Sequence, residues 1–388
     1  MDTPSELFEN NELHEEIKEA MNKSQEEGAA KIMELLDQQK NTPLNIAITG
    51  ECGSGKSTFV NALRGLSDDD ENSAPTGPIE TTKKATLYTH PKYPNVKIWD
   101  LPGIGTTKFP AAKYLEHVEF QKFDFFIIIS DTRFRENDVK LAHEIQRMKK
   151  KFYFVRSKID NDLHMEQKKK GFNEEETVSK IRNNCIEGLQ NEGLESPQVF
   201  LVSSSEPHKY DFSLLGETLE KQLPAHKRNA LLLAMPIINL EIIGKKKEIF
   251  QGRIKYYAAQ AVICPVSTIL KDVTREYQAG FGLDCESLQK LADSIGLPLS
   301  DLEAVMKYPL ADNEKFMAVF TDILSLSARS ASVAVGEKLN IFSAIGFVGS
   351  TALSCCSTHY NINRLLDMFV DDAQRVFTKV LDHVAAKP

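Results

Sequence analysis

One short segment constrains the fold of this chain more than any other part. Over residues 44–63, an apolar run is followed by a glycine-rich loop and then by a stretch with helical character. The loop from Gly50 to Ser57 reads GECGSGKS and matches the pattern G-x-x-x-x-G-K-S/T at every fixed position. Its glycines let the backbone N–H groups turn inward, where they and the next helix N-terminus face an anion. The segment therefore predicts a strand-loop-helix unit that binds phosphate.

The residue types in this loop predict how a nucleoside polyphosphate is held. Lys56 is placed to reach the β- and γ-phosphates, as a catalytic group, and the hydroxyl of Ser57 is placed to bind Mg²⁺. The predicted cofactor-binding residues of the loop are Gly50, Glu51, Cys52, Gly53, Ser54, Gly55, Lys56, Ser57 and Thr58.

Length, charge and cysteine usage restrict the class of protein. A chain of 388 residues is expected to form two domains, and its net charge of -8 argues against a general nucleic-acid partner. Its six cysteines form no C-x-x-C pair, which is typical of a reducing compartment without a cysteine metal site. The N-terminus has no secretory signal, Asp2 stands where N-myristoylation requires a glycine, and no run predicts a transmembrane helix. We expect a cytoplasmic protein.

The pattern along the chain predicts three regions. Residues 1–40 form an N-terminal helical region packing on the C-terminal domain, residues 41–226 a nucleotide-binding domain, and residues 227–388 a C-terminal helical domain. Within the middle region, apolar runs alternate with helix-like segments, which predicts an α/β fold with a six-stranded, mostly parallel sheet. The predicted strands are 44–49, 84–90, 96–101, 124–130, 152–156 and 198–203.

Two further motifs follow strands of this sheet. Asp100 ends the run 96–101 and begins D-x-x-G, so its carboxylate is predicted at the Mg²⁺ site and the N–H of Gly103 at the γ-phosphate. Ser157, Lys158 and Asp160 follow the next-to-last strand and match the N/T/S-K-x-D signature of guanine sites. A carboxylate at Asp160 accepts from both N1–H and the 2-amino group of guanine, whereas adenine offers neither donor there.

The remaining site residues come from strand ends and from the segment 67–82. Ser203 and Ser204 are predicted to meet the guanine O6 through hydroxyl or N–H groups. A threonine should complete the Mg²⁺ shell when the γ-phosphate is present; Thr76, Thr81 and Thr82 compete, and Thr82 is favoured because it adjoins the following strand.

These segments together resemble a known family. GECGSGKST at 50–58, APTGPIETT at 74–82, DLPGIG at 100–105 and SKID at 157–160, flanked by helical regions, resemble the interferon-inducible immunity-related GTPases. The resemblance implies a Ras-like GTPase domain with a helical domain formed by both termini, GTP-dependent oligomers, intracellular membranes and cell-autonomous defence against vacuolar pathogens. It places Lys56 in the GTP-hydrolysing subgroup, and it differs at Ser204, where the family often has asparagine.

The motifs also predict how hydrolysis depends on a second molecule. Ile104 stands where many small GTPases carry a water-orienting glutamine, and segment 67–82 contains no arginine. We expect a slow monomer whose site is completed in a homodimer or GTP-dependent homo-oligomer through the GTPase domain. Glu80 is the predicted carboxylate that positions water or meets the partner's ribose. Related GTPases are further candidate partners, as regulators.

Three alternatives stay open at this stage. The apolar C-terminal segments and Lys245–Lys247 fit either core packing or contact with an anionic membrane. The chain can also be a nucleotide-gated scaffold of the septin or dynamin type, in which hydrolysis is incidental. An ATP-using P-loop enzyme is the third alternative, against which Asp160 argues.

Overall fold

A computed structural model describes residues 11–77, 85–102, 119–132, 134, 136–308, 342–343 and 346–386. The chain divides into two compact units. One comprises Pro43–Ile238, and the other combines the N-terminal part up to Thr42 with the part from Asn239 onward. The boundary predicted after residue 226 falls inside a helix, Ala225–Ala234, that contacts strands of the first unit.

A single sheet organises the unit of residues 43–238. Its strands are β1 (Leu44–Gly50), β2 (Thr86–Thr89), β3 (Val96–Asp100), β4 (Phe125–Ser130), β5 (Lys151–Arg156) and β6 (Val199–Leu201). They lie in the order β2-β3-β1-β4-β5-β6, and only β2 pairs antiparallel. The predicted six-stranded, mostly parallel sheet is confirmed.

Helices cover this sheet because its central strands are apolar on both faces. All six residues of β4 are buried. One core cluster joins the sheet to α4 (Glu136–Arg147), α5 (Ile159–Glu166) and α6 (Glu174–Asn191). The same unit contains α3 (Lys56–Leu63), α7 (Phe212–Gln222) and α8 (Ala225–Ala234). The ring of Phe59 on α3 packs against that of Phe212 on α7, with ring centroids 5.6 Å apart. A strand buried on both faces reads as a continuous apolar run, as β4 does.

The other unit is helical throughout its described residues, as the predicted fold class requires. Its helices are α1 (Asn11–Lys23), α2 (Gln25–Asn41), α9 (Leu240–Ala259), α10 (Val266–Phe281), α11 (Cys285–Ile295), α12 (Leu299–Val305) and α13 (Gly349–Ala385). The predicted N-terminal helical region contains two helices, α1 and α2. The Ser24 hydroxyl accepts from the N–H of Glu27 and so caps the start of α2. Helix α2 contacts α9 and the 3₁₀ turn Gln260–Val262.

The apolar C-terminal segment supplies core residues of this unit. On α13, Ala352, Cys355, Cys356 and Ile362 are buried, whereas Leu353 is 49% exposed. The lysine run within α9 is engaged within the unit as well: Lys245 pairs with Glu241, Lys246 donates to Gly280 O, and Lys247 pairs with Asp367. Of the helices that the structure describes, none combines the length and the apolar character needed to cross a membrane.

Candidate functional site

The phosphate loop begins where β1 ends, and its three glycines have positive φ values that other residues adopt only with strain. Gly50 has φ 144°, and a Cβ there would lie 2.0 Å from the carbonyl oxygen of Ile129 on β4. Gly55 has φ 89° and is the N-cap of α3. Gly53, at φ 80°, lies at the exposed tip between them. The loop therefore wraps around the start of α3, as its sequence predicts.

Polar groups inside this loop are arranged as a cradle. Lys56, only 7% exposed, donates from Nζ to the carbonyl oxygen of Glu51 at 2.8 Å. The hydroxyl of Ser54 is buried and has no hydrogen bond to any residue that the structure describes. A buried hydroxyl without a partner is uncommon in native proteins, and a bound phosphate oxygen would satisfy it. The loop therefore fits a polyphosphate ligand.

Two of the predicted magnesium ligands, Ser57 and Asp100, meet although they are far apart in the chain. Ser57 opens α3 and Asp100 ends β3, whose register pairs Asp100 with Ile48 of β1. This register brings the two side chains together, and Ser57 Oγ donates to Asp100 Oδ2 at 2.9 Å. Hydroxyl and carboxylate oxygens suit Mg²⁺, which in such sites also takes phosphate oxygens and water. Among the described residues, no group of three or more His, Cys, Asp or Glu side chains is arranged to hold a metal ion.

The Ser157–Asp160 turn is tied directly to the phosphate loop. Ser157 donates from Oγ to Ser54 O at 2.6 Å and from its N–H to Ser130 O at 2.9 Å. Lys158 has a left-handed backbone, φ 58°, and its Nζ donates to Gly53 O at 2.6 Å. The same Nζ lies 3.0 Å from Oδ2 of Asp131. The side chain of Lys158 thus bridges the loops after β1 and β4.

Asp160 is held by serines that follow β6. Ser205 Oγ donates to Asp160 Oδ2 at 3.1 Å, and Ser203 Oγ lies 2.9 Å from Ser205 Oγ. Because Ser205 gives its single hydroxyl proton to Asp160, the hydroxyl of Ser203 is the donor to Ser205, and the N–H of Glu206 donates to Ser203 Oγ at 3.2 Å. Ser203 and Ser204 were predicted to meet the guanine O6, and that contact stays a prediction; the serine that donates to Asp160 is Ser205, the next residue of the run. A run of three serines contains no signal for which of them faces the turn.

Sequence reasoning also missed three charged residues beside the Ser157–Asp160 turn, namely Asp131, Arg156 and Asp162. Arg156, the last residue of β5, donates to Ser157 O at 2.7 Å and to Asp131 O, and it pairs with Asp162. Burial raises the pKa of Asp162 above its usual value, Arg156 opposes this, and Asp131 and Asp160 add to it. An arginine that directly follows the apolar run 152–155 was the available signal.

Several predicted residues lie outside the described part of the chain, namely Glu80, Thr81, Thr82, Gly103 and Ile104. The segment that precedes Glu80, Thr81 and Thr82 is described up to residue 77, and Thr76 is exposed there. It is anchored to α3 by Asn61, which accepts from the N–H of Ala74 at 2.6 Å and donates to Ala74 O at 3.0 Å. The choice between Thr76, Thr81 and Thr82 stays a prediction.

Comparison with known proteins gives a consistent result over most of the chain. The family model described as "Interferon-inducible GTPase (IIGP)" matches residues 10–380. The chain is 40% identical over 357 residues to interferon-gamma-inducible GTPase 10 of Mus musculus, covering 88% of this chain and 82% of that protein. It is 38% identical over 369 residues to interferon-inducible GTPase 5 of Rattus norvegicus, covering 92% and 80%. It is 44% identical over 291 residues to T-cell-specific guanine nucleotide triphosphate-binding protein 2 of Mus musculus, covering 72% and 70%.

The extent of these matches, together with the cradle, the Ser57–Asp100 pair and the Asp160 turn, confirms the predicted resemblance and the GTPase class. The chain belongs to the interferon-inducible GTPase family.

Proposed function

We propose that this chain binds GTP and GDP with Mg²⁺ and hydrolyses GTP, slowly alone and faster in a GTP-dependent homo-oligomer. We further propose that it acts at intracellular membranes in cell-autonomous defence against vacuolar pathogens. The observation that carries the nucleotide part is the convergence of two contacts at one edge of the sheet. Ser57 meets Asp100 on one side of the phosphate loop, and Asp160 meets Ser205 on the other.

The chain's own residues account for binding of the triphosphate. Loop N–H groups and the α3 N-terminus face the phosphates, and Lys56 exchanges its contact with Glu51 O for phosphate oxygens. Ser57 and Asp100 are placed to hold Mg²⁺, with Asp100 acting directly or through water. The ion, when bound, neutralises charge on the β- and γ-phosphates. These contacts favour a bound nucleotide whose γ-phosphate is oriented for attack by water.

Base selection rests on Asp160. Its carboxylate is half-buried, and an unpaired carboxylate beside the wrong purine costs free energy. A guanine supplies two donors to that carboxylate, whereas adenine supplies none in that place. Family membership and this turn together argue against the ATP-using alternative.

Nucleotide selection can be tested by titrating the purified chain with GDP, ADP and xanthosine diphosphate. We expect wild type to favour GDP over ADP, and D160N to lose affinity for GDP by about two orders of magnitude while gaining xanthosine diphosphate binding. Xanthine carries an oxygen at position 2, which an asparagine amide can meet as a donor. E166Q, an exposed substitution on the same helix, is the matched control and should keep the wild-type preference. Equal affinity of wild type for ADP and GDP would overturn the proposed function.

The oligomer and membrane parts of the proposal rest on family membership and on sequence. Segment 67–82 supplies no arginine and Ile104 supplies no amide, so a second molecule is needed to complete a fast site. Because Lys245, Lys246 and Lys247 are engaged within the helical unit, membrane contact would use other residues, such as the exposed Leu240, Val348 and Leu353.

A further inference from the structure

Arg156 is a charged residue in an unusual place for a sheet. It ends β5 between β4 and β6, with register partners Ser130 and Leu201, and it is only 6% exposed. Taking a guanidinium out of water is costly unless its donors and charge are matched. The side chain therefore depends on the acceptors that surround it.

Those acceptors belong to three different segments. One η nitrogen donates to the carbonyl oxygens of Ser157, at 2.7 Å, and of Asp131. The other η nitrogen pairs with the carboxylate of Asp162 on α5. A planar guanidinium presents several donors in a fixed arrangement, which suits it to hold separate groups in register.

Each of these segments contributes to the proposed base pocket. Asp131 accepts from Lys158 Nζ, and Ser157 donates to Ser54 O of the phosphate loop. Asp162 shares the first turn of α5 with Asp160. We propose that Arg156 is the positioning residue of this pocket, fixing the turn in the arrangement in which Asp160 faces the guanine edge. The inference rests on the proposed function and adds to it a residue that acts through Asp160.

Two features of the turn make such a residue necessary. Lys158 has a positive φ, a conformation that costs free energy for a residue with a Cβ. In addition, Asp131 and Asp160 lie close enough to Asp162 to raise its pKa, and the buried Arg156, which pairs with Asp162, opposes that effect. Without it, the turn would relax and the Asp160 carboxylate would lose its orientation.

The test compares GDP with inosine diphosphate, which lacks the 2-amino group and so reports on the orientation of Asp160. Affinities of the full chain for both nucleotides are measured by calorimetry for wild type, R156Q, D162N and R182Q. Arg182 is the matched control, because it also pairs with an aspartate, Asp211, and donates to a strand carbonyl, Val199 O, in the same unit. We expect R156Q to reduce the preference for GDP over inosine diphosphate by about tenfold, and R182Q to keep it.

The ratio separates positioning from general loss of structure. If R156Q weakens both nucleotides equally, or changes neither, the inference is overturned. If R156Q fails to fold, D162N decides by the same ratio, since it keeps the arginine but removes its carboxylate partner. A wild type that binds ADP as well as GDP would instead overturn the proposed function, so the two failures are distinguishable.

Discussion

The hydroxyl groups of Ser205 and Ser203 orient Asp160, the residue that is proposed to select the base. Ser205 donates to Asp160, and Ser203 and the N–H of Glu206 complete the chain behind it. A carboxylate oxygen that accepts such a bond is held in one orientation, while its other oxygen is available to guanine. The orientation of Asp160 therefore depends on residues that follow a different strand.

Replacing Ser205 by alanine should weaken guanine nucleotide binding. We expect S205A to raise the Kd for GDP about two- to tenfold, because one hydrogen bond to the carboxylate is lost and water partly replaces it. S204A, in the same serine run, is the comparison: it keeps the contact of Ser205 with Asp160 and removes only the hydroxyl predicted to meet the guanine O6. Fluorescence titration with a labelled GDP measures both. An effect of S204A larger than that of S205A would contradict the proposed importance of the Ser205–Asp160 contact for binding.

At the scale of helices, one partly buried acidic residue joins three elements of the helical unit. Glu276 of α10 accepts from Lys40 of α2 at 2.7 Å, and from Arg253 and Tyr257 of α9 at 2.8 Å each. Burial raises the pKa of Glu276, but Lys40 and Arg253 together bring it below its usual value. The ionised Glu276 therefore stabilises the folded unit at neutral pH, and this stabilisation is lost as the pH falls below about 4 and the carboxylate is protonated.

Removing this charge should destabilise the helical unit. E276Q leaves Arg253, which is 8% exposed, without its counterion, and we expect it to lower the free energy of unfolding by about 3 kcal/mol. D272N, on the same helix, breaks an exposed pair with Arg275 and should cost less than about 1 kcal/mol. Urea unfolding at pH 7, followed by circular dichroism, compares the two. Equal stability of the two variants would show that the cluster contributes no more than a surface pair.

At the scale of the whole molecule, the proposed oligomer makes a prediction about turnover. Since segment 67–82 and Ile104 provide neither an arginine nor a glutamine to the site, GTP hydrolysis per molecule should rise with protein concentration. A series from nanomolar to tens of micromolar chain, with light scattering, measures turnover and assembly together. GDP in place of GTP is the control and should leave the scattering unchanged. Constant turnover per molecule over the series would contradict the dimer-dependent mechanism.

Sequence by itself determined the elements and the main chemistry. All six strands were predicted within a few residues, because buried strands require apolar runs and the loop glycines require free φ. Lys56, Ser57, Asp100 and Asp160 could be predicted as site residues because each lies at a fixed distance from a strand end. These signals are local, so they can be read from neighbouring residues.

Tertiary structure alone decided the contacts that join distant segments. The identity of the serine at Asp160, the burial of Arg156 and the use of Lys245–Lys247 inside the helical unit were invisible to local patterns. The N-terminal helical region is divided at Ser24, because the side chain of this residue caps the start of α2. Hydrogen bonds and ion pairs are specified by where side chains meet in space, and strand order and register set those meetings, as they do for Ser57 and Asp100.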